Sequence, residues 1–175
     1  MPAYRRVRPN ADEFAPFYAG YLQQVPDGDV VEALIGGAEI AAALLHDVQE
    51  EVASKEYAPG KWTLKEVVQH LADAERIFAY RALRIGRGDA TDLPGWDENV
   101  YAPASGANER SLESLLDELE SVRESTVTLF EGLPEAAWTR SGLANGQKVS
   151  VRAIAWIAAG HLLHHLEIIQ ERYLG

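Results

Sequence analysis

The chain has no cysteine. Disulfides, zinc ribbons, iron–sulfur clusters and a thiol nucleophile of its own are excluded, so any thiol chemistry must use a thiol from outside. Basic residues are scarce: 16 Lys and Arg against 27 Asp and Glu give a formal charge of −11. Nucleic-acid binders carry a basic face, and the one basic cluster here, Arg5, Arg6 and Arg8, is too short to supply it. No nucleic acid is expected as a partner. No stretch reaches the roughly 18 uninterrupted apolar residues of a membrane span. The opening segment MPAYRRVRPNADEF lacks the apolar centre of a signal peptide. These absences predict a cytoplasmic protein with no membrane partner. No alternating run is long enough to predict a strand, and no β-hairpin is expected.

What remains is helical. The 175 residues, 47% hydrophobic and 25% charged, fit one globular domain spanning 1–175. Residues 1–28 read as an irregular N-terminal extension broken by Pro2, Pro9, Pro16 and Pro26, with Phe14, Phe17, Tyr18 and Tyr21 plugging an edge of the core. A first helix is predicted over Val30–Ser54, kinked at Gly36–Gly37. A second starts at Thr63, where Glu66 three residues on completes a capping box, and runs to about Arg87. Residues 88–110 form a long loop that is either a surface crossover or an ordered flap carrying Trp96 and Tyr101, with acidic Asp92, Asp97 and Glu98. A third helix starts near Ser111. The last starts after Ser150, runs to about Tyr173, is apolar on nearly every side and is therefore predicted to be central. The fold class is all-α: a four-helix bundle with a long crossover loop and an irregular N-terminal segment.

The chemistry lies in the histidines. Three of the five fall within HLLHH on the last helix, as His161, His164 and His165. Residues i and i+4 point the same way about 6 Å apart along a helix, so His161 and His165 can share a metal ion. Ile154, Ile157, Ala158 and Ile168 surround them, which marks a buried face. His70 sits on the apolar stripe of the second helix with Val67, Ala74 and Ile77. Three imidazoles with an open fourth position describe a catalytic rather than a closed zinc site. The bland alternative is core histidines satisfied by hydrogen bonds. Against it, each unsatisfied buried polar group costs about 1–3 kcal/mol, a large share of a total stability of about 5–15 kcal/mol. A metal ion turns that cost into binding energy. His46, beside the acidic stretch HDVQEEV, reads as solvated or salt-linked. Asp73, at i+3 from His70, is either an ion-pair partner, an acceptor that fixes a ligand tautomer, or a general base. His164 sits at the edge of the site. Asp73 and His164 are the only catalytic candidates among these residues. Glu66 is committed to its cap, and Glu167 points away.

Three segments carry a family resemblance: KWTLKEVVQHLADAERIFAYRALR (Lys61–Arg84), LPGWDENVY (Leu93–Tyr101) and AGHLLHHLEIIQERYL (Ala159–Leu174). They resemble the DinB-like family of damage-inducible and stress-associated bacterial proteins, over most of the chain from about Val30 onward. The resemblance implies a four-helix bundle, commonly a homodimer, with a divalent metal held by His70, His161 and His165. Related branches transfer low-molecular-weight thiols to electrophiles or isomerise small acids with a thiol cofactor. The expectation is a metal-dependent enzyme acting on a small molecule, by thiol transfer or by hydrolysis, with zinc as the first choice of metal and nickel or iron as alternatives. Arg81 is a candidate for holding an anionic group. The alternative is a non-catalytic dimeric stress-response or binding module with a structural metal.

Overall fold

The computed structural model describes residues 2–175. In chain order the helices are α1 (Ala19–Gln24), α2 (Val30–Leu45), α3 (Glu50–Ala53), α4 (Leu64–Gly86), α5 (Glu98–Ala104), α6 (Leu112–Gly132), α7 (Glu135–Trp138) and α8 (Val151–Ile169). Each long helix starts on a side-chain cap that accepts an otherwise unpaired backbone N–H. Asp29 accepts from Val31 (2.9 Å), Ser111 from Ser114 (3.2 Å) and Ser150 from Ala153 (3.1 Å). At α4 the capping box is complete: Thr63 Oγ1 accepts from Glu66 N–H (3.1 Å), and Glu66 accepts from Thr63 N–H (2.8 Å).

The four long helices form the all-α bundle. α4 packs between α6 and α8, and α2 closes the ring by touching both α6 and α8. α8 is central, buried along nearly its whole length, and α1 lies against its outer side. Across the ring, Arg123 of α6 forms an ion pair with Glu75 of α4 (2.6 Å). The same guanidinium donates to the Leu34 carbonyl of α2 (3.3 Å), so one buried side chain ties three helices together. The apolar core has two halves. One gathers Val151–Ala159 of α8 with Ala74, Phe78, Ala82 and Ile85 of α4. The other gathers Leu162, Leu166 and Ile169 with Leu64, Val67, Val68 and Leu71. His70, His161 and His165 lie at the seam between them.

The N-terminal extension is anchored by charge. Glu13 accepts from Ser150 Oγ (2.7 Å) and from Arg152 Nε (2.7 Å). Burial pushes the Glu13 carboxyl up, but Arg152, Ser150 and the Asn10 backbone outweigh it and hold the pKa at about 2. Phe17 does not plug the core as expected: it is 68% exposed. Tyr18 and Tyr21 turn inward.

Three expectations are corrected. A β-hairpin is present: β1 (Ser141–Ala144) pairs antiparallel with β2 (Gln147–Ser150) around Asn145–Gly146. Both turn residues have positive φ, 55° and 67°, the requirement of the two-residue turn that Asn-Gly favours. The strands are only four residues long, too short for alternation to show. The first helix ends at Leu45, not Ser54, and passes unbroken through Gly36 and Gly37. The chain turns at His46 so that Glu50 can accept from Leu112 N–H (2.6 Å) and pair with Lys65 (2.5 Å). Residues 88–110 are not loop throughout: α5 lies within them, in keeping with the ordered flap rather than the surface crossover.

Gly160 is required by packing. A Cβ there would lie 2.0 Å from the backbone oxygen of Tyr21, so α1 approaches α8 too closely for any side chain. Gly160→Ala is expected to lower stability by about 3 kcal/mol, the upper range for overpacking. Gly36, with nothing within 4 Å of an added Cβ, should gain up to about 1 kcal/mol on change to Ala. Urea midpoints of the two variants test this, and an unchanged midpoint for Gly160→Ala would contradict the close approach.

Candidate metal centre

α4 presents His70 and α8 presents His161 and His165, one turn apart on the inward face. One ring nitrogen from each lies within 4.8 Å of the other two. The Nε2 atoms of His70 and His161 are 3.1 Å apart, and the ring centroids of the three imidazoles are 4.6–5.0 Å apart. His70 and His161 are buried and His165 is half-buried. Among the described residues, no carboxylate hydrogen-bonds any of them. His70 and His161 are within hydrogen-bond distance of each other, and no side chain from outside the trio hydrogen-bonds its ring nitrogens among the described residues. Three convergent imidazole nitrogens fit a divalent cation, and nitrogen donors suit zinc, nickel, copper or iron.

The electrostatics agree with neutral, ligating imidazoles. Burial lowers the His70 pKa to about 4, against a small upward pull from Glu98. Burial, then His70 and His164, lower His165 to about 3. His161 is driven well below its ordinary value by burial first and then by His165, His70, His164 and Arg123. A ligand imidazole must be unprotonated, and this environment keeps it so without a metal.

Aromatic rings wall the centre. Trp62 packs on His70 at 5.0 Å, and Trp96 stacks on its face at 5.6 Å with a 19° interplanar angle. Tyr101 closes edge-on against Trp96 (5.2 Å). The loop over 88–110 is therefore an ordered cover, and the hairpin positions it. Leu93 N–H donates to Leu143 O (3.0 Å), and Asn145 N–H donates to Leu93 O (2.8 Å), which clamps the loop three residues before Trp96. On the α8 side, Phe78 meets His161 edge-on (5.5 Å), and Tyr21 meets His161 (5.4 Å) and His164 (5.1 Å).

The remaining sequence candidates fall around this cluster. His164 is half-buried with its ring 5.4 Å from His165, outside the trio. Asp73 accepts from Gln69 (3.0 Å) and lies 3.5 Å from Arg76, in a polar network with Glu118 on the α6 side. His46 is exposed and pairs with Asp47 (2.7 Å), as expected. Glu167 is exposed and accepts from Gln24 (2.9 Å). Sequence reasoning overlooked Trp62, Tyr21 and the influence of Glu98. Trp62 precedes the Thr63 cap and so lies outside the helical stripe, and periodicity along α4 does not reach it. Tyr21 comes from a separate short helix and left no periodic trace.

The comparisons with known proteins agree with this architecture. The sequence profile of the DinB superfamily matches residues 34–169, and the chain belongs to that superfamily. Two relatives share the name "putative metal-dependent hydrolase". The one from Oceanobacillus iheyensis is 27% identical over 126 residues, 69% of this chain and 72% of the relative. The one from Geobacillus thermodenitrificans is 29% identical over 145 residues, 78% of this chain and 80% of the relative. Among solved structures, YfiT from Bacillus subtilis, described as "a probable metal-dependent hydrolase with an unusual four-helix bundle topology", superposes with a TM-score of 0.72 at 16% identity, covering 95% of this chain and 91% of YfiT. A mycothiol-dependent maleylpyruvate isomerase superposes with a TM-score of 0.69 at 15% identity, covering 83% of this chain and 61% of the isomerase. At those identities the likeness is one of fold.

A pH dependence follows for the metal-stripped protein. An unfolded histidine binds a proton below about pH 6.5, whereas the native imidazoles resist protonation to about pH 4 at His70 and about pH 3 at His165. Between those limits the unfolded chain binds more protons, so stability falls as pH falls. Each such histidine contributes up to about 1.4 kcal/mol per pH unit. Urea midpoints of chelator-treated protein from pH 7.5 to pH 5 should decline steadily, and a flat series would contradict the burial of neutral imidazoles.

Proposed function

We propose that this chain is a metal-dependent enzyme acting on a small molecule, with His70, His161 and His165 as the ligands of one divalent cation, zinc first and nickel or iron as alternatives. The observation that carries the reading is the convergence of three imidazole nitrogens within 4.8 Å, two from buried histidines and one from the half-buried His165. A divalent cation held there supplies a Lewis acid that lowers the pKa of a coordinated water or of an external thiol toward neutrality. The chain's own contribution is the enclosure. Trp62 and Trp96 cover the His70 side and exclude bulk water, which strengthens every electrostatic interaction inside. Tyr21 and Phe78 fix the His161 ring from two directions. His164, at the rim beside Tyr21, is placed to take or give a proton. Asp73, engaged by Gln69 and Arg76, acts by setting the α4 side of the site.

The reaction is either thiol transfer to an electrophile or hydrolysis; in the first case the absence of cysteine from the chain leaves an external low-molecular-weight thiol as the sulfur source. The proposed enzyme is a single-domain cytoplasmic homodimer, the assembly that the family resemblance implies. No helix among the described residues is long and apolar enough to cross a membrane.

The decisive measurement is elemental analysis of purified wild type and His161→Ala. Wild type should hold about one divalent ion per chain and the variant under a tenth of that; equal contents would end the ligand assignment. X-ray absorption then separates the two chemistries. Addition of a low-molecular-weight thiol to the zinc form should bring in one sulfur neighbour at about 2.3 Å in place of an oxygen or nitrogen at about 2.0–2.1 Å. An unchanged nitrogen and oxygen shell would favour hydrolysis.

A further inference from the structure

Buried charge in this protein is paired, with one exception among the cations. Lys65 pairs with Glu50 and Arg123 with Glu75. Arg81 is 6% exposed, yet among the described residues no carboxylate forms an ion pair with it. Its guanidinium donates to the Pro94 carbonyl (2.9 Å) and to the Tyr18 hydroxyl, both neutral oxygens. An unpaired buried charge costs several kcal/mol unless an anion answers it.

The guanidinium lines a cavity of about 30 Å³ between α4, the hairpin turn and the N-terminal extension. That volume holds roughly two water-sized groups. Lys148, Asn145 and Gln147 supply further polar groups on the hairpin side. Two acidic residues lie in this region: Asp12 pairs with Lys148 at 3.4 Å, and Glu98 acts on Tyr18 electrostatically without an ion pair to Arg81. Burial pushes the Tyr18 phenol above its ordinary pKa, against the pull of Arg81, so its O–H remains a donor at neutral pH.

The cavity shares a wall with the metal centre. Phe78 lines it and also meets His161 edge-on at 5.5 Å. Tyr18 lines it and touches Tyr21 (6.1 Å), which in turn touches His161. The cavity floor, Ile154 and Ile157, lies on α8 seven and four residues before His161, which is about 10 and 6 Å of helix rise.

We propose that the Arg81 cavity binds the carboxylate of the small molecule on which the neighbouring centre acts, so that the substrate, or the thiol delivered to it, is a carboxylic acid whose chain is long enough to reach from the cavity to the centre. The two oxygens of a planar carboxylate match the guanidinium fork, and a carboxylate is the smaller of the two common anions that this fork takes. The substrate assignment rests on the proposed metal centre; the carboxylate site does not.

The test uses the full chain in metal-replete and metal-stripped forms, titrated calorimetrically with propionate, with inorganic phosphate, and with ω-mercaptocarboxylates of increasing chain length. Propionate should bind both forms, with Kd raised about tenfold or more by Arg81→Gln and a few-fold by Lys148→Ala. Lys148 is half-exposed, so that variant decides the matter if Arg81→Gln does not fold. In the metal-replete form the thiol acids should show an affinity maximum at one intermediate length, because only a linker that spans both sites gains from binding them together. The maximum should vanish in the stripped form. Propionate affinity unchanged by both substitutions, or phosphate bound in preference to propionate, overturns the carboxylate site. A flat thiol-acid series over a metal-loaded protein overturns its link to the centre. Failure of the centre itself shows separately, as protein that takes up no stoichiometric metal while Arg81-dependent propionate binding persists.

Discussion

The rest of the structure is arranged around the burial of three imidazoles where the two halves of the core meet. A Leu or Ile in each of those positions would join the halves into one apolar column. Imidazoles there must instead find partners or carry the desolvation cost, about 1–3 kcal/mol for each unsatisfied group. Apart from the His70–His161 contact at 3.1 Å, no other side chain hydrogen-bonds them among the described residues. The protein aims their nitrogens at a common point and packs Trp62, Trp96, Phe78 and Tyr21 around them. Packing of that kind restricts the ring orientations, so that the nitrogens stay aimed at one point.

Holding those rings requires close backbone approaches. Tyr21 reaches His161 because Gly160 lets the α1 backbone press against α8. Trp96 reaches His70 because Leu93 is clamped to the hairpin edge, and because Gly95 leaves room for the Asn145 side chain, which a Cβ would meet at 2.3 Å. The extension that carries Tyr21 is held by Glu13 on Ser150 and Arg152, the first turn of the helix that carries two of the imidazoles. Small elements outside the four long helices thus set the walls of the centre, while the long helices set its ligands.

That division explains what the sequence disclosed. The ligand helices are strongly marked: Thr63 with Glu66, Ser150, and apolar residues at helical spacing fixed the start of α4 and α8 and the face of each histidine. HLLHH is a local pattern, and its partner His70 sits on an apolar stripe that must face inward. The walls left weaker traces. Asn145–Gly146 is a strong turn signal, but four-residue strands gave no alternation to go with it. The end of α2 at Leu45 carries no glycine or proline; it is imposed from a distance by Glu50, which reaches both Lys65 and Leu112 N–H. Tyr21 depends on a contact 140 residues away in the chain, and periodicity carries no information about such pairs.

The two buried guanidinium groups show how charge separates support from recognition. Arg123 meets Glu75 at 2.6 Å with both side chains 4% exposed. Removal of either partner would strand a charge in the bundle, so this pair is committed to holding α2, α4 and α6 together. Arg81 is buried to a similar degree but is met only by neutral oxygens from Pro94 and Tyr18. A guanidinium used purely for architecture would be expected to resemble Arg123. One left without a carboxylate, beside a small polar cavity that shares Phe78 with the imidazole cluster, keeps its charge available to a ligand. On the proposed reading, Lewis-acid chemistry and anion recognition would share one aromatic wall, and that arrangement would select for a substrate long enough to reach both.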